Sequence, residues 1–283
     1  WIYFVDTASA EFSRDTEMMR GGYFDNYYMQ LIYNVQRAKG TAPVIVQDAR
    51  KPINVTGEFD QWNDITVTYT DPTGDTADRD AIGFGRTPYT NTSGRNDIKA
   101  AKVTSDSKNL YFYVQTVNDI SMFDTESSWM QIYLNVDRRD AESGETGWYG
   151  YDFIVNHQAK NEFTTTLAGY SGTDGQYGFT PVGDIAYRVK DNEMMIAVPL
   201  SLLGIEGYDF TVNFAWTDNV HDEADAGERG DSDYKYTKFS GDIMDFYISG
   251  DVAPGGRFKF SYVVAAEGGD IAATDPAETE IPT

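Results

Sequence analysis

Residues 129–156 read WMQIYLNVDRRDAESGETGWYGYDFIVN. Met130, Ile132, Leu134 and Val136 alternate with Gln131, Tyr133 and Asn135, and a second run starts at Tyr151. A period of two residues is the mark of a strand with one face turned inward. Between the runs the chain turns through Asp137, Asp140, Glu142 and Glu145. Crowding like charges in one loop is unfavourable unless water or a cation separates them. Oxygen ligands on a flexible loop suit Ca²⁺, which takes six to eight of them. The spacing is not that of an EF-hand, and a solvated acidic hairpin loop explains the same residues.

The same alternation extends outward in both directions. In NLYFYVQTV (109–117) Leu110, Phe112 and Val114 share a side, and in DFTVNFAWTD (209–218) Phe210, Val212, Phe214 and Trp216 do. Similar runs fall near 65–69, 98–104, 151–156, 185–189, 194–198 and 243–248, separated by turn-rich segments such as DPTGDTADRD and SGTDGQYG. These predict a mainly β fold, an antiparallel β-sandwich of immunoglobulin or jelly-roll type. VPLSLLG (198–204) predicts a single helical turn after a strand. The exception to the β pattern is DNYYMQLIYNVQRAKG (25–40), where Asp25 suits an N-cap, Tyr28, Leu31, Ile32 and Val35 share a face, and Gly40 suits the C′ position. The expected organisation is a strand and α-helix over 1–42, the sandwich over 43–265, and a flexible acidic tail over 266–283.

A formal charge of −23 argues against nucleic acid and anionic membranes as partners, because binding phosphates needs clustered Lys and Arg. Cysteine is absent, which removes disulfides, thiolate metal sites and cysteine nucleophiles. No apolar run is long enough for a membrane span. The chain starts at Trp1 with no leader-like segment, and the expectation is a piece of a longer protein. His157 and His221 stand apart and give no zinc spacing. No GxSxG, HExxH or P-loop motif is present, and with 45 acidic residues a pair of carboxylates is no signal of glycoside hydrolysis.

Alternation places Trp129, Gln131, Tyr133 and Asn135 on the face opposite Met130, Ile132, Leu134 and Val136. Sugars present apolar C–H faces edged with hydroxyls, and an aromatic platform beside amides matches that chemistry. Packing of the stripe under a loop is the competing reading. A second acidic stretch, TDNVHDEADAGERGDSDYKY (217–236), follows the strand that ends at Asp218.

Five segments in order, KPINVTGEFDQWNDI, IKAAKVTSDSKNLYFYVQTVNDIS, the opening stretch, DIAYRVKDNEMMIAVPLSLLGI and YDFTVNFAWTDN, resemble family 9 carbohydrate-binding modules over about residues 50–262. The most specific pieces are GEFDQW and TGWYGYDFIVN. The resemblance implies a β-sandwich with structural Ca²⁺, appended to a secreted, periplasmic or cell-surface polysaccharide-degrading protein. Asp60, Asp137 and Asp218 are its ligand candidates, and Asp140 joins them from the acidic loop. Sugar-binding members look to clamp a sugar between two tryptophans. Here the second is missing, Tyr234 and Tyr236 lie in the corresponding loop, and the register at Trp129 differs by about two residues. Residues 10–40 resemble the closing helix of a TIM-barrel glycoside hydrolase-like protein. The expected function is therefore a non-catalytic, Ca²⁺-stabilised module that binds a polysaccharide or oligosaccharide through Trp129, Gln131, Tyr133, Asn135, Tyr234 and Tyr236, with the catalytic domain of the parent protein as neighbour. A structural domain packed on that barrel, an enzyme in its own right, and a haem-binding relative using Met122, Met130, Met194 or Met195 are the alternatives.

Overall fold

The structure is a computed structural model that describes residues 50–76, 79–82, 88–91, 94–123, 128–136, 147–206, 210–220, 250–255 and 258–264, with Val35, Ala38, Lys39 and Phe246; the side chains of 79–82 and 88–91 are not described. Strands form where the sequence alternates: β1 (Tyr69–Thr70), β2 (Arg79–Ile82), β3 (Pro88–Asn91), β4 (Ile98–Ser105), β5 (Asn109–Thr116), β6 (Gln131–Asn135) and β7 (Phe153–Asn161). They continue as β8 (Thr164–Tyr170), β9 (Phe179–Lys190), β10 (Glu193–Pro199), β11 (Phe210–Asp218), β12 (Asp251–Ala253) and β13 (Phe260–Val264).

All described pairings are antiparallel, and the mainly β expectation holds. The strands hydrogen-bond as one 11-stranded sheet in the order β1-β4-β5-β10-β9-β8-β7-β6-β11-β12, with β13 also on β11 and β2-β3 a separate pair. Register puts the alternating side chains on one side. Phe112 lies opposite Val103 and Ile196, while Leu134 lies opposite Phe214 and Phe153. Burying each such side chain contributes about 1.5–3 kcal/mol. Residues from β4 to β13 share a single core.

The two ends of the sheet meet over that core. The Tyr69 hydroxyl donates to the Ser261 carbonyl at 2.8 Å, and the Tyr69 ring lies 5.1 Å from Phe214 and 5.2 Å from Phe260. The Ile98 amide donates to Asp251 Oδ2 at 2.6 Å. On the opposite face of β5 and β10, Ile53, Phe59 and Trp62 pack on Tyr113 and Met195, with Trp62 5.3 Å from the Tyr113 ring. The GEFDQW segment thus forms a short 3-10 turn, Phe59–Trp62, against the sheet.

The helical turn expected from VPLSLLG is a 3-10 turn at Leu200–Leu203, closed by Gly204 at φ 67°, where a residue without Cβ is favoured. The N-terminal helix and the acidic tail lie outside the described residues, apart from a turn in which Lys39 N donates to Val35 O at 3.1 Å. The strand expected near 243–248 also lies mostly outside them, and its one described residue, Phe246, is helical. Met130 and Met194 are core residues and Met195 is buried on the Tyr113 side, while Met122 is exposed.

Burial of His157 in β7 disfavours its charged form and lowers its pKa, and its Nδ1 has no hydrogen-bond partner. A lowered folded-state value means that the unfolded chain binds the proton more readily. Stability is therefore full above the unfolded pKa, about 6.5, and is lost as pH falls through it toward the folded value. The urea midpoint is expected to fall between pH 7 and pH 5, and a His157→Gln chain should show a smaller drop over that range.

Candidate functional site

Asp71 follows β1, Asp75 ends the adjoining turn, and Asp251 opens β12. One carboxylate oxygen from each lies within 4.8 Å of the other two, the one such group among the described residues. The turn is set by Pro72 and Gly74, the latter at φ 85°. Asp97 stands just before β4, and its Oδ2 accepts from the Gly74 amide at 2.8 Å. Asp251 is placed by its pairing with Asp218 and by Gly250 at φ 63°, where a Cβ would lie 2.0 Å from the Asp218 carbonyl oxygen.

Asp71 is only 8% exposed, and neither of its oxygens has a hydrogen-bond partner. Burial, then the charges of Asp251, Asp75 and Asp97, push its pKa well up. Burial, then Asp75, does the same to Asp251, against the Ile98 amide that favours its charged form. Two carboxylates about 4 Å apart repel by on the order of 4 kcal/mol at an effective dielectric of 20. A fold stable by about 5–15 kcal/mol cannot carry several such terms uncompensated. The arrangement calls for a proton or a cation.

Asp218 sits beside this group with its own partners. Its Oδ2 accepts from Arg95 Nε at 2.9 Å, and its Oδ1 from the Met130 amide at 3.0 Å. Burial raises its pKa while Arg95 and then the Met130 amide oppose the rise. Arg95 Nη2 also donates to the Ser128 carbonyl at 3.1 Å. Met130 has φ 43°, a strained value for a side chain of its size. Asn156 clamps it, its Nδ2 donating to the carbonyls of Trp129 at 2.7 Å and Met130 at 2.8 Å.

That kink corrects the exposed stripe expected at Trp129, Gln131, Tyr133 and Asn135. Strand β6 begins at Gln131, and alternation cannot be carried back through a left-handed residue. Trp129 therefore turns into the same core as Met130, is 3% exposed, and stands 5.8 Å from the Tyr187 ring. Gln131, Tyr133 and Asn135 do share the other face, but that face is covered. Tyr133 lies under Trp148 at 5.7 Å, Tyr151 at 5.4 Å and Phe246 at 5.1 Å. Gln131 is engaged by Ser128 Oγ at 3.0 Å and the His157 carbonyl at 3.0 Å. A sugar cannot reach these four side chains in this arrangement.

Tyr234, Tyr236, Asp137 and Asp140 lie outside the described residues. Asp60 is exposed on the Phe59–Trp62 turn and belongs to no such acidic group among them. Asp218 neighbours the triad but is taken up by Arg95.

Two exposed aromatics, Tyr149 and Tyr177, come together around Trp148, where the opening stretch returns. Gly147 and Gly150, at φ 88° and 73°, fold a tight loop in which Trp148 and Tyr151 exchange backbone hydrogen bonds at 3.0 and 2.9 Å. Trp148 is fully buried, while Tyr149 is 42% and Tyr177 38% exposed. Both stand edge-on to Trp148, at 5.2 Å and 5.3 Å. Phe179 extends the group, 5.3 Å from Tyr177. Partly exposed aromatic rings held edge-on to a buried tryptophan have the chemistry of a sugar platform. Compared with protein-family models, with curated proteins and with solved structures, the chain matches none.

Proposed function

We propose that the chain is a non-catalytic carbohydrate-binding module of an exported polysaccharide-degrading protein. The observation that carries this reading is the pair Tyr149 and Tyr177, exposed rings braced edge-on against the buried Trp148. The resemblance of the five segments to family 9 modules supports it, and TGWYGY is among the most specific of those pieces. The formal charge of −23 favours neutral over anionic glycans. Rigid rings lose little conformational entropy on binding, which suits stacking on a pyranose face.

Fluorescence titration of the wild-type chain with neutral soluble polysaccharides tests the site. Tyr149→Ala and Tyr177→Ala are each expected to weaken binding by about tenfold, roughly 1.4 kcal/mol. Unchanged affinity in the double variant would remove the site from this rim. Wild-type folding with no glycan bound would instead favour the alternative, a rim that packs against a neighbouring barrel domain.

A further inference from the structure

Asp71, Asp75 and Asp251 bring oxygens within 4.8 Å of one another from segments far apart in sequence. Two backbone amides donate to this group and its neighbour Asp97. Asp251 Oδ2 has the Ile98 amide and Asp97 Oδ2 the Gly74 amide, but both Asp71 oxygens and Asp97 Oδ1 are buried with no hydrogen-bond partner. Buried polar atoms are nearly always satisfied, and an orphaned anion is the costliest exception. Arg95 pairs with the neighbouring Asp218 and donates to the Ser128 carbonyl.

We propose that Asp71, Asp75 and Asp251 bind one Ca²⁺, with Asp97 facing it from the start of β4, and that the ion fastens the two ends of the sheet together. Oxygens on opposite sides of a Ca²⁺ ion, each about 2.3–2.6 Å from it, are up to about 5 Å apart, which accommodates the spacing. An all-carboxylate set favours a hard divalent ion over zinc or copper, which draw on imidazole and thiolate. Carboxylates that can bind through one or both oxygens serve the high, irregular coordination of Ca²⁺ better than the strict octahedron of Mg²⁺. The acids of the sequence-based expectation are not these: Asp60 is exposed and Asp218 is paired with Arg95. The role follows from position. Asp71 continues from β1 and Asp251 opens β12, the two ends of the sheet's strand order. An ion that both hold closes the sheet only in the folded chain, and its binding adds to folding stability.

The test is thermal unfolding and calorimetry of the full chain, stripped with EGTA and then titrated with CaCl2 or MgCl2. Wild type is expected to bind Ca²⁺ saturably and to gain about 5–10 °C in Tm at saturation, with a smaller gain in Mg²⁺. Asp71→Asn removes a charge at constant shape. In EGTA it should unfold at or above the wild-type temperature, because repulsion is relieved, and in Ca²⁺ it should gain almost nothing. No heat and no Tm shift for wild type would overturn the proposal without reference to any variant. It would be overturned equally by a full Ca²⁺ shift retained in Asp71→Asn and Asp251→Asn, which would put the ion elsewhere, or by Mg²⁺ matching Ca²⁺. These readouts involve no glycan, and their outcome is separate from that of the carbohydrate titration.

Discussion

Phe214→Ala is expected to destabilise the fold by about 3–5 kcal/mol, the range for deleting a buried aromatic ring. Phe214 is fully buried in β11 and touches rings from three other parts of the sheet: Phe112 of β5 at 5.5 Å, Tyr69 of β1 at 5.1 Å and Phe260 of β13 at 5.5 Å. Its ring fills the place where the sheet closes on itself. The cavity left by Ala has walls from both ends of the strand order, and collapse of one wall pulls on the hydrogen bond from Tyr69 to Ser261. Urea denaturation measures the loss. A change below about 1 kcal/mol would mean that the ends are joined by something other than this packing.

Asp218→Ala should cost a similar amount by a different route. The carboxylate is fully buried and accepts from Arg95 Nε and the Met130 amide. Removing it takes the carboxylate from Arg95, and breaking a buried pair from one side typically costs about 3–5 kcal/mol. It also frees an amide that helps hold Met130 at φ 43°. Asp218→Asn keeps an oxygen for one donor and is expected to lose less than half as much. Ca²⁺ binding should persist in Asp218→Asn, since Asp218 is not among the acids assigned to the ion. Equal stability of the Ala and wild-type chains would show that the pair contributes nothing.

Sequence carried the strands of the core clearly where large apolar residues recur at every second position, as in NLYFYVQTV and DFTVNFAWTD. Strand β8, TTTLAGY, was not legible because threonines and small residues surround Leu167, its one large aliphatic side chain, so no apolar alternation is written there. Trp129 misled for another reason: alternation assumes an unbroken extended backbone, and the left-handed Met130 breaks it one residue before β6 starts. The burial of Tyr133 depends on Trp148 and Phe246 arriving from elsewhere in the chain, which no local pattern announces. Dense runs of acids drew attention to 137–145 and 218–233, yet the acids that meet in space come from sparse places. Asp71 and Asp75 frame a Pro-Gly turn, four residues apart in TDPTGD, and that spacing was a signal available to reading. Their partner Asp251 is joined to them only by the closure of the sheet.

Affinity electrophoresis of the wild-type chain through gels carrying neutral polysaccharides, with Ca²⁺ present, tests the proposed binding module. Retardation by at least one polysaccharide is expected, with no release of reducing sugar from it. Unretarded migration through the whole panel, or hydrolysis by this chain alone, would contradict it.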